Sequence, residues 1–213
     1  MKTQKTAMKD LQGYFKESEI VSFFAGIKNQ RDLLLFRMLY KSGRRVSEIL
    51  CLKVNDIDWI QGMISYQILK KKDKEYRALK LVDQKTLNIL EKYIKDYELG
   101  ENDYLFPQEK RRDTNSKGEK SIKICPHLSR CTAYYLTKKY AEKAGILKVG
   151  NKPPHPHCFR HTFAVRMAQK MTNPADMRKL QMWLEHADMA VTQTYLQFNQ
   201  EDMRSIIESE DVI

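Results

Sequence analysis

A mainly helical domain with one small antiparallel sheet is what this 213-residue sequence predicts. Three observations carry the prediction. Apolar residues recur at helical spacing through most of the chain, and the period shortens to two in a single stretch between residues 63 and 82. Glycine, proline and capping polar residues fall at the ends of these runs. No internal repeat is visible, and the 42% hydrophobic share is ordinary for a chain long enough to bury a sizeable core.

Residues 1–14 are polar and lysine-rich and read as a flexible tail. From Glu17, residues Ile20, Val21, Phe23, Phe24 and Ile27 give a first amphipathic helix. Arg31–Tyr40 is apolar on nearly every side, as expected of a helix in the middle of a domain, and Gly43 suits a left-handed cap after Ser42. A short helix over Val46–Leu52 follows, with Ser47 and Glu48 in its first turn. Ile64, Tyr66 and Ile68 alternate through Met63–Leu69, and Tyr76–Val82 is the return strand of a hairpin turning at Lys70-Lys-Lys-Asp-Lys74. Asp83 caps a helix to about Tyr97. The basic, apolar-poor segment 108–124 reads as a mobile surface loop, or one ordered by a partner, within a single domain spanning 15–198. Ser129 or Thr132 opens the next helix, which ends at Gly145. Pro153-Pro-His-Pro156 is an extended approach to a helix over His157–Met171. Pro174 starts another helix, to Leu184, and 199–213 holds a last helical pattern with Met203, Ile206 and Ile207 apolar.

Lys and Arg outnumber Asp and Glu by 38 to 27, a formal charge of +11. That excess favours a polyanionic partner, because neutralised phosphates release counterions. Cys51, Cys125, Cys131 and Cys158 form no CxxC pair, which fits a reducing cytosol. Cys125-Pro-His127 with Cys131 is the nearest approach to a metal motif, but its spacing is irregular and no metal is expected. There is no secretory h-region and no run of about 18 apolar residues, so a soluble cytoplasmic protein without membrane contact is expected.

Individual residues suggest chemistry only weakly. Arg45 sits on a corner between two buried elements, either as a surface charge or as one held by packing, with Glu48 one helical turn away to pair with it. His157 and Arg160 lie three apart at a helix start and share a face. His186 precedes Tyr195 by nine residues on an apolar helical frame, where both residues would ordinarily be core. A tyrosine hydroxyl, with a pKa near 10, becomes a useful nucleophile only where cations surround the group it attacks.

Together these residues resemble one family. Ser42-Gly-Arg-Arg45-Val-Ser-Glu48-Ile, Pro156-His157-Cys-Phe-Arg160-His161-Thr-Phe-Ala, Leu184-Glu-His186 and Tyr195 are similar to the motif boxes of tyrosine recombinases, the phage-integrase and Xer-like enzymes. Lys71-Lys-Asp-Lys-Glu-Tyr-Arg77 resembles that family's lysine hairpin, and Asp103-Tyr-Leu-Phe-Pro107 its linking segment. The resemblance runs from about Phe15 to Phe198 and implies the tyrosine recombinase catalytic-domain fold over 15–198.

The resemblance also implies a reaction. Tyr195 would attack a phosphodiester of double-stranded DNA to give a 3′-phosphotyrosine and a free 5′-hydroxyl, with neither metal nor ATP. Arg45 and Arg160 would clamp the non-bridging oxygens. Lys71 would be the general acid, with Lys72 its nearest competitor. His157 would serve as base or proton shuttle, and His186 would donate to a phosphate oxygen. Glu48 and His161 would stand behind these groups. Arg44, Lys72, Lys74, Arg77, Lys110, Arg111, Arg112 and Arg130 are the expected DNA contacts. A homo-tetramer on DNA is implied, with a monomer the alternative in the free state, and the C-terminal segment is a candidate for exchange between protomers.

Three departures stand out, one of them a 108–124 loop longer than the family's. Glu185 replaces the glycine usual before the second histidine. The helical core-binding domain that usually precedes the catalytic domain is missing from this sequence, so weaker DNA binding or a partner is expected. A type IB topoisomerase-like relaxing enzyme and a non-cleaving DNA-binding protein on the same fold are the alternatives.

Overall fold

The computed structural model describes residues 13–68, 77–108, 113–114, 120–121, 127–170 and 174–184. Seven helices are described: α1 Glu17–Ala25, α2 Gln30–Ser42, α3 Val46–Leu50, α4 Gln84–Asp96, α5 Arg130–Lys143, α6 Pro156–Gln169 and α7 Pro174–Leu184. Strands β1 Ile57–Asp58, β2 Met63–Gln67 and β3 Arg77–Leu81 form one antiparallel sheet in the order β1-β2-β3. A short pair, β4 Asp113–Thr114 and β5 Lys120–Ser121, forms a second.

The helix ends follow the capping chemistry in the sequence. Asn29 Oδ1 accepts from the Asp32 N–H at 3.0 Å to start α2, and Asp83 Oδ1 accepts from the Thr86 N–H at 3.1 Å to start α4. Ser129 caps α5 by accepting from the Thr132 N–H at 3.0 Å, so both residues considered for that helix start take part in it. Gly43 ends α2 at φ +64°, and a Cβ there would overlap the Phe163 ring, so both the conformation and the space call for glycine.

The centre of the domain is α2 against α6. Phe36 and Phe159 meet at 5.4 Å between ring centroids, Phe23 lies 5.2 Å from Phe159, and all three are fully buried. Such rings dominate a core, and truncating one to alanine costs about 3–5 kcal/mol. A buried polar link runs through the same region: the Tyr140 hydroxyl donates to Asp32 Oδ2 at 2.7 Å, tying α5 to α2.

One expectation is corrected. The hairpin is a three-stranded sheet, because Ile57 and Asp58 pair with Ile64 and Met63. Two residues are too short a run to show any period. Within the segment read as a basic surface loop, 113–114 pair with 120–121. The tail 1–12, the lysine turn 69–76, the remainder of the basic segment at 109–112, 115–119 and 122–126, and the final helical pattern lie outside the described residues.

Candidate active site

Arg45 is the residue before α3, on the corner that Gly43 turns. Its Nη1 pairs with Glu48 Oε1 at 2.7 Å, and its own N–H donates to Glu48 Oε2 at 3.0 Å. One carboxylate therefore caps the helix start and aims the guanidinium. The Arg45 side chain keeps 22% of its surface exposed while Glu48 keeps none. This is the ion pair expected from their spacing.

Arg160 comes from the second turn of α6 and is 2% exposed. Its Nη1 donates to the Gly43 carbonyl at 2.9 Å and its Nη2 to the Leu184 carbonyl at 2.5 Å. The arginine thus joins three elements: the corner carrying Arg45, its own helix, and the end of α7. Trp183 reinforces the same junction. Its indole N–H donates to the Ser42 carbonyl at 2.9 Å, its ring stacks 6.3 Å from Phe163, and Lys80 Nζ of β3 lies 5.2 Å over it.

His157 stands one turn before Arg160, with the His161 ring at 4.5 Å in an edge-on arrangement. Its pKa is lowered to about 3, first by burial and then by the neighbouring His161, Arg160, His155 and Arg45. The ring is nevertheless exposed, so water screens part of that depression, and the direction is what matters. The imidazole is neutral at neutral pH and able to accept a proton. Arg160 and, most weakly, Arg45 are among the charges that lower the His157 pKa.

Other expected site residues fall elsewhere. Arg44, expected on DNA, is fully buried: its Nε lies 3.3 Å from Glu48 Oε2 and its guanidinium 5.6 Å from the Tyr66 ring centroid. Its neighbour Glu48 draws it inward, since an i,i+4 acid reaches Arg44 as readily as an i,i+3 acid reaches Arg45. Arg130 is exposed at the first position of α5, and Arg77 opens β3. Lys71, Lys72, Lys74, Lys110, Arg111, Arg112, Glu185, His186 and Tyr195 lie outside the described residues. Reading the sequence missed Trp183, Lys80 and Tyr66. The inward alternation of Ile64, Tyr66 and Ile68 was the signal available for Tyr66. Among the described residues no three His, Cys, Asp or Glu side chains cluster as metal ligands, and no helix is long and apolar enough to cross a membrane.

Residues 14–202 match the Phage integrase family. The chain belongs to that family. A tyrosine recombinase of Pseudothermotoga lettingae is 34% identical over 170 residues, covering 80% of this chain and 50% of that protein. Tyrosine recombinase XerA of Pyrococcus horikoshii is 31% identical over 206 residues, covering 96% of this chain and 64% of that protein. This family member therefore spans between half and two thirds of the length of those two relatives. Among solved structures, XerA recombinase aligns over 94% of this chain and 64% of its own at a TM-score of 0.65, with 22% identity. XerH site-specific recombinase bound to palindromic difH substrate, a post-cleavage complex, aligns over 92% and 53% at 0.69, also with 22% identity. The mainly helical architecture with its small sheet is thus the fold of integrase-family catalytic domains.

Proposed function

We propose that this chain acts as the catalytic domain of a site-specific tyrosine recombinase, breaking and rejoining double-stranded DNA through a 3′-phosphotyrosine. The observation that carries the proposal is the junction of Arg45, His157 and Arg160. Two guanidinium groups from separate elements are fastened to one corner, and a neutral imidazole lies in their shared field. Two planar donors suit the non-bridging oxygens of a pentavalent phosphorane, where charge develops as Tyr195 attacks. The neutral His157 takes up the Tyr195 proton or passes it on. Lys71 protonates the leaving 5′-oxygen, with Lys72 the alternative, and His186 donates to a phosphate oxygen. The phosphotyrosine conserves the energy of the bond it replaces, so the cycle needs neither ATP nor metal. Family membership and the difH complex of XerH support DNA as partner. A tetramer on DNA, exchange of the C-terminal segment between protomers and a cytoplasmic, nucleoid-associated location belong to the same proposal.

The test is to trap the protein on nicked suicide duplexes drawn from a selected pool of bound sequences, and to look for a covalent adduct on a denaturing gel. Tyr195→Phe is expected to abolish the adduct and leave DNA affinity within about two-fold. An adduct that survives in Tyr195→Phe would remove Tyr195 as nucleophile. Relaxation of any supercoiled plasmid, with no site requirement, would replace the recombinase by a topoisomerase-like enzyme.

A further inference from the structure

The burial of Arg44 removes a DNA contact and puts a cation where none was expected. Its side chain has no exposed surface, nor has that of Glu48. Burying an ion pair is costly unless its geometry and further partners compensate, so a buried guanidinium beside a site calls for a reason. A carboxylate and an aromatic ring face the guanidinium. Glu48 Oε2 lies 3.3 Å from Arg44 Nε, and the face of Tyr66 lies beneath the guanidinium at 5.6 Å. The Arg44 N–H donates to Ser42 Oγ at 3.2 Å, and the Tyr66 phenol shares a hydrogen bond with the same hydroxyl. Burial raises the Tyr66 pKa far above its usual value, so the phenol stays neutral beneath the cation.

The carboxylate of Glu48 is thus held from two sides. Arg44 meets Oε2, Arg45 Nη1 meets Oε1 at 2.7 Å, and the Arg45 N–H also meets Oε2. Arg44 acts on Glu48 as a buried charge rather than through a hydrogen bond from its Nε, and it cannot swing into solvent. The partly exposed Arg45 fork then takes its direction from a carboxylate pinned by that charge. We propose that Arg44 is a positioning residue: through Glu48 it fixes the direction of the Arg45 guanidinium, and through Tyr66 it ties that direction to β2. One buried cation would thus link the Arg45 corner to the sheet. The inference rests on the recombinase reading for its catalytic consequence, but not for the ordering of Arg45.

Two measurements on the full chain decide it. The first is ¹⁵N relaxation of the Arg45 Nε–Hε group in wild type, in Arg44→Met, and in a core variant such as Ile49→Val brought to equal thermal stability by temperature. The order of Arg45 is expected to fall in Arg44→Met and to persist in the control. Unchanged order in Arg44→Met, or an equal fall in the control, overturns the proposal. The second is single-turnover cleavage of a nicked suicide duplex. Arg44→Met is expected to slow adduct formation by about 10- to 100-fold, the scale of a misplacement near 1 Å, with DNA affinity unchanged. In an Arg45→Ala background the same substitution is expected to add nothing. A loss of affinity with normal cleavage at saturation would make Arg44 a DNA contact and end the proposal. So would a full additional loss in the Arg45→Ala background. Should Arg44→Met lose its cooperative unfolding transition, Arg44→Lys replaces it, keeping the charge without the planar fork, and the same comparisons apply. If wild type itself gives no adduct, the recombinase reading fails, and the Arg45 relaxation data alone decide the positioning role.

Discussion

Arg45 takes its partner from its own helical turn, Glu48 three residues on, whereas Arg160 reaches carbonyls 117 and 24 positions away. One arginine is held by local chemistry and the other by the assembled fold. The first arrangement can be written into a short motif and carried by a single carboxylate. The second exists only when α2, α6 and α7 have packed, so disturbing any of them also disturbs the site. With one local and one global hold, the proposed phosphate clamp would be sensitive to folding on one side only.

Breaking the local hold is expected to give the largest effect. Glu48→Gln removes the counter-charge of a fully buried Arg44, and it is expected to cost about 3–5 kcal/mol. A lower urea midpoint with an unchanged slope would show it. A loss under about 1 kcal/mol would mean that the carboxylate does not neutralise Arg44. Next comes the corner itself. Gly43→Ala places a Cβ in the Phe163 ring and forces alanine to φ +64°, so roughly 2–4 kcal/mol is expected to be lost. Because the Gly43 carbonyl is an Arg160 acceptor, adduct formation should fall in parallel. Stability loss with untouched cleavage would separate the global hold from the clamp.

The junction at α7 is expected to be worth less. Trp183→Phe keeps an aromatic ring against Phe163 and loses the N–H to the Ser42 carbonyl, a change of about 0.5–1.5 kcal/mol. Thermal unfolding measures it, and no change would show that water replaces the indole. The smallest effect concerns acid. The folded pKa of His157 lies below the ordinary 6.5, near 3, while the unfolded chain binds its proton at the ordinary value. The stability His157 contributes is therefore complete above about pH 6.5 and is lost as pH falls from there towards 3. The denaturant midpoint of wild type should fall relative to that of His157→Gln as pH drops from 7.5 to 5. A constant difference across that range would contradict the depressed pKa.

What the sequence made legible follows the same division between local and distant. The helix starts at Asp83 and Ser129 and the cap at Gly43 are matters of a few adjacent residues, and they were readable as such. So was the pairing of Arg45 with Glu48. The burial of Arg44 was not, because spacing cannot say which of two neighbouring arginines turns inward until Tyr66 of β2 is known to lie beneath one of them. The Arg160 acceptors escaped for a related reason: both are backbone carbonyls, which carry no residue identity to search for. Trp183 looked like any apolar residue of an amphipathic helix until its indole N–H met Ser42. The two-residue strand β1 was invisible to any test of period.

The bond from Arg160 to the Leu184 carbonyl gives the nucleophile a leash of known length. Tyr195 lies eleven positions after Leu184. Fully stretched, such a segment reaches at most about 40 Å, and any shorter path keeps the tyrosine nearer. The post to which this leash is tied is itself one of the two arginines proposed to bind phosphate. On the proposed mechanism the hydroxyl searches a volume around that arginine, so lengthening the chain after Leu184 would dilute the nucleophile without moving the arginine.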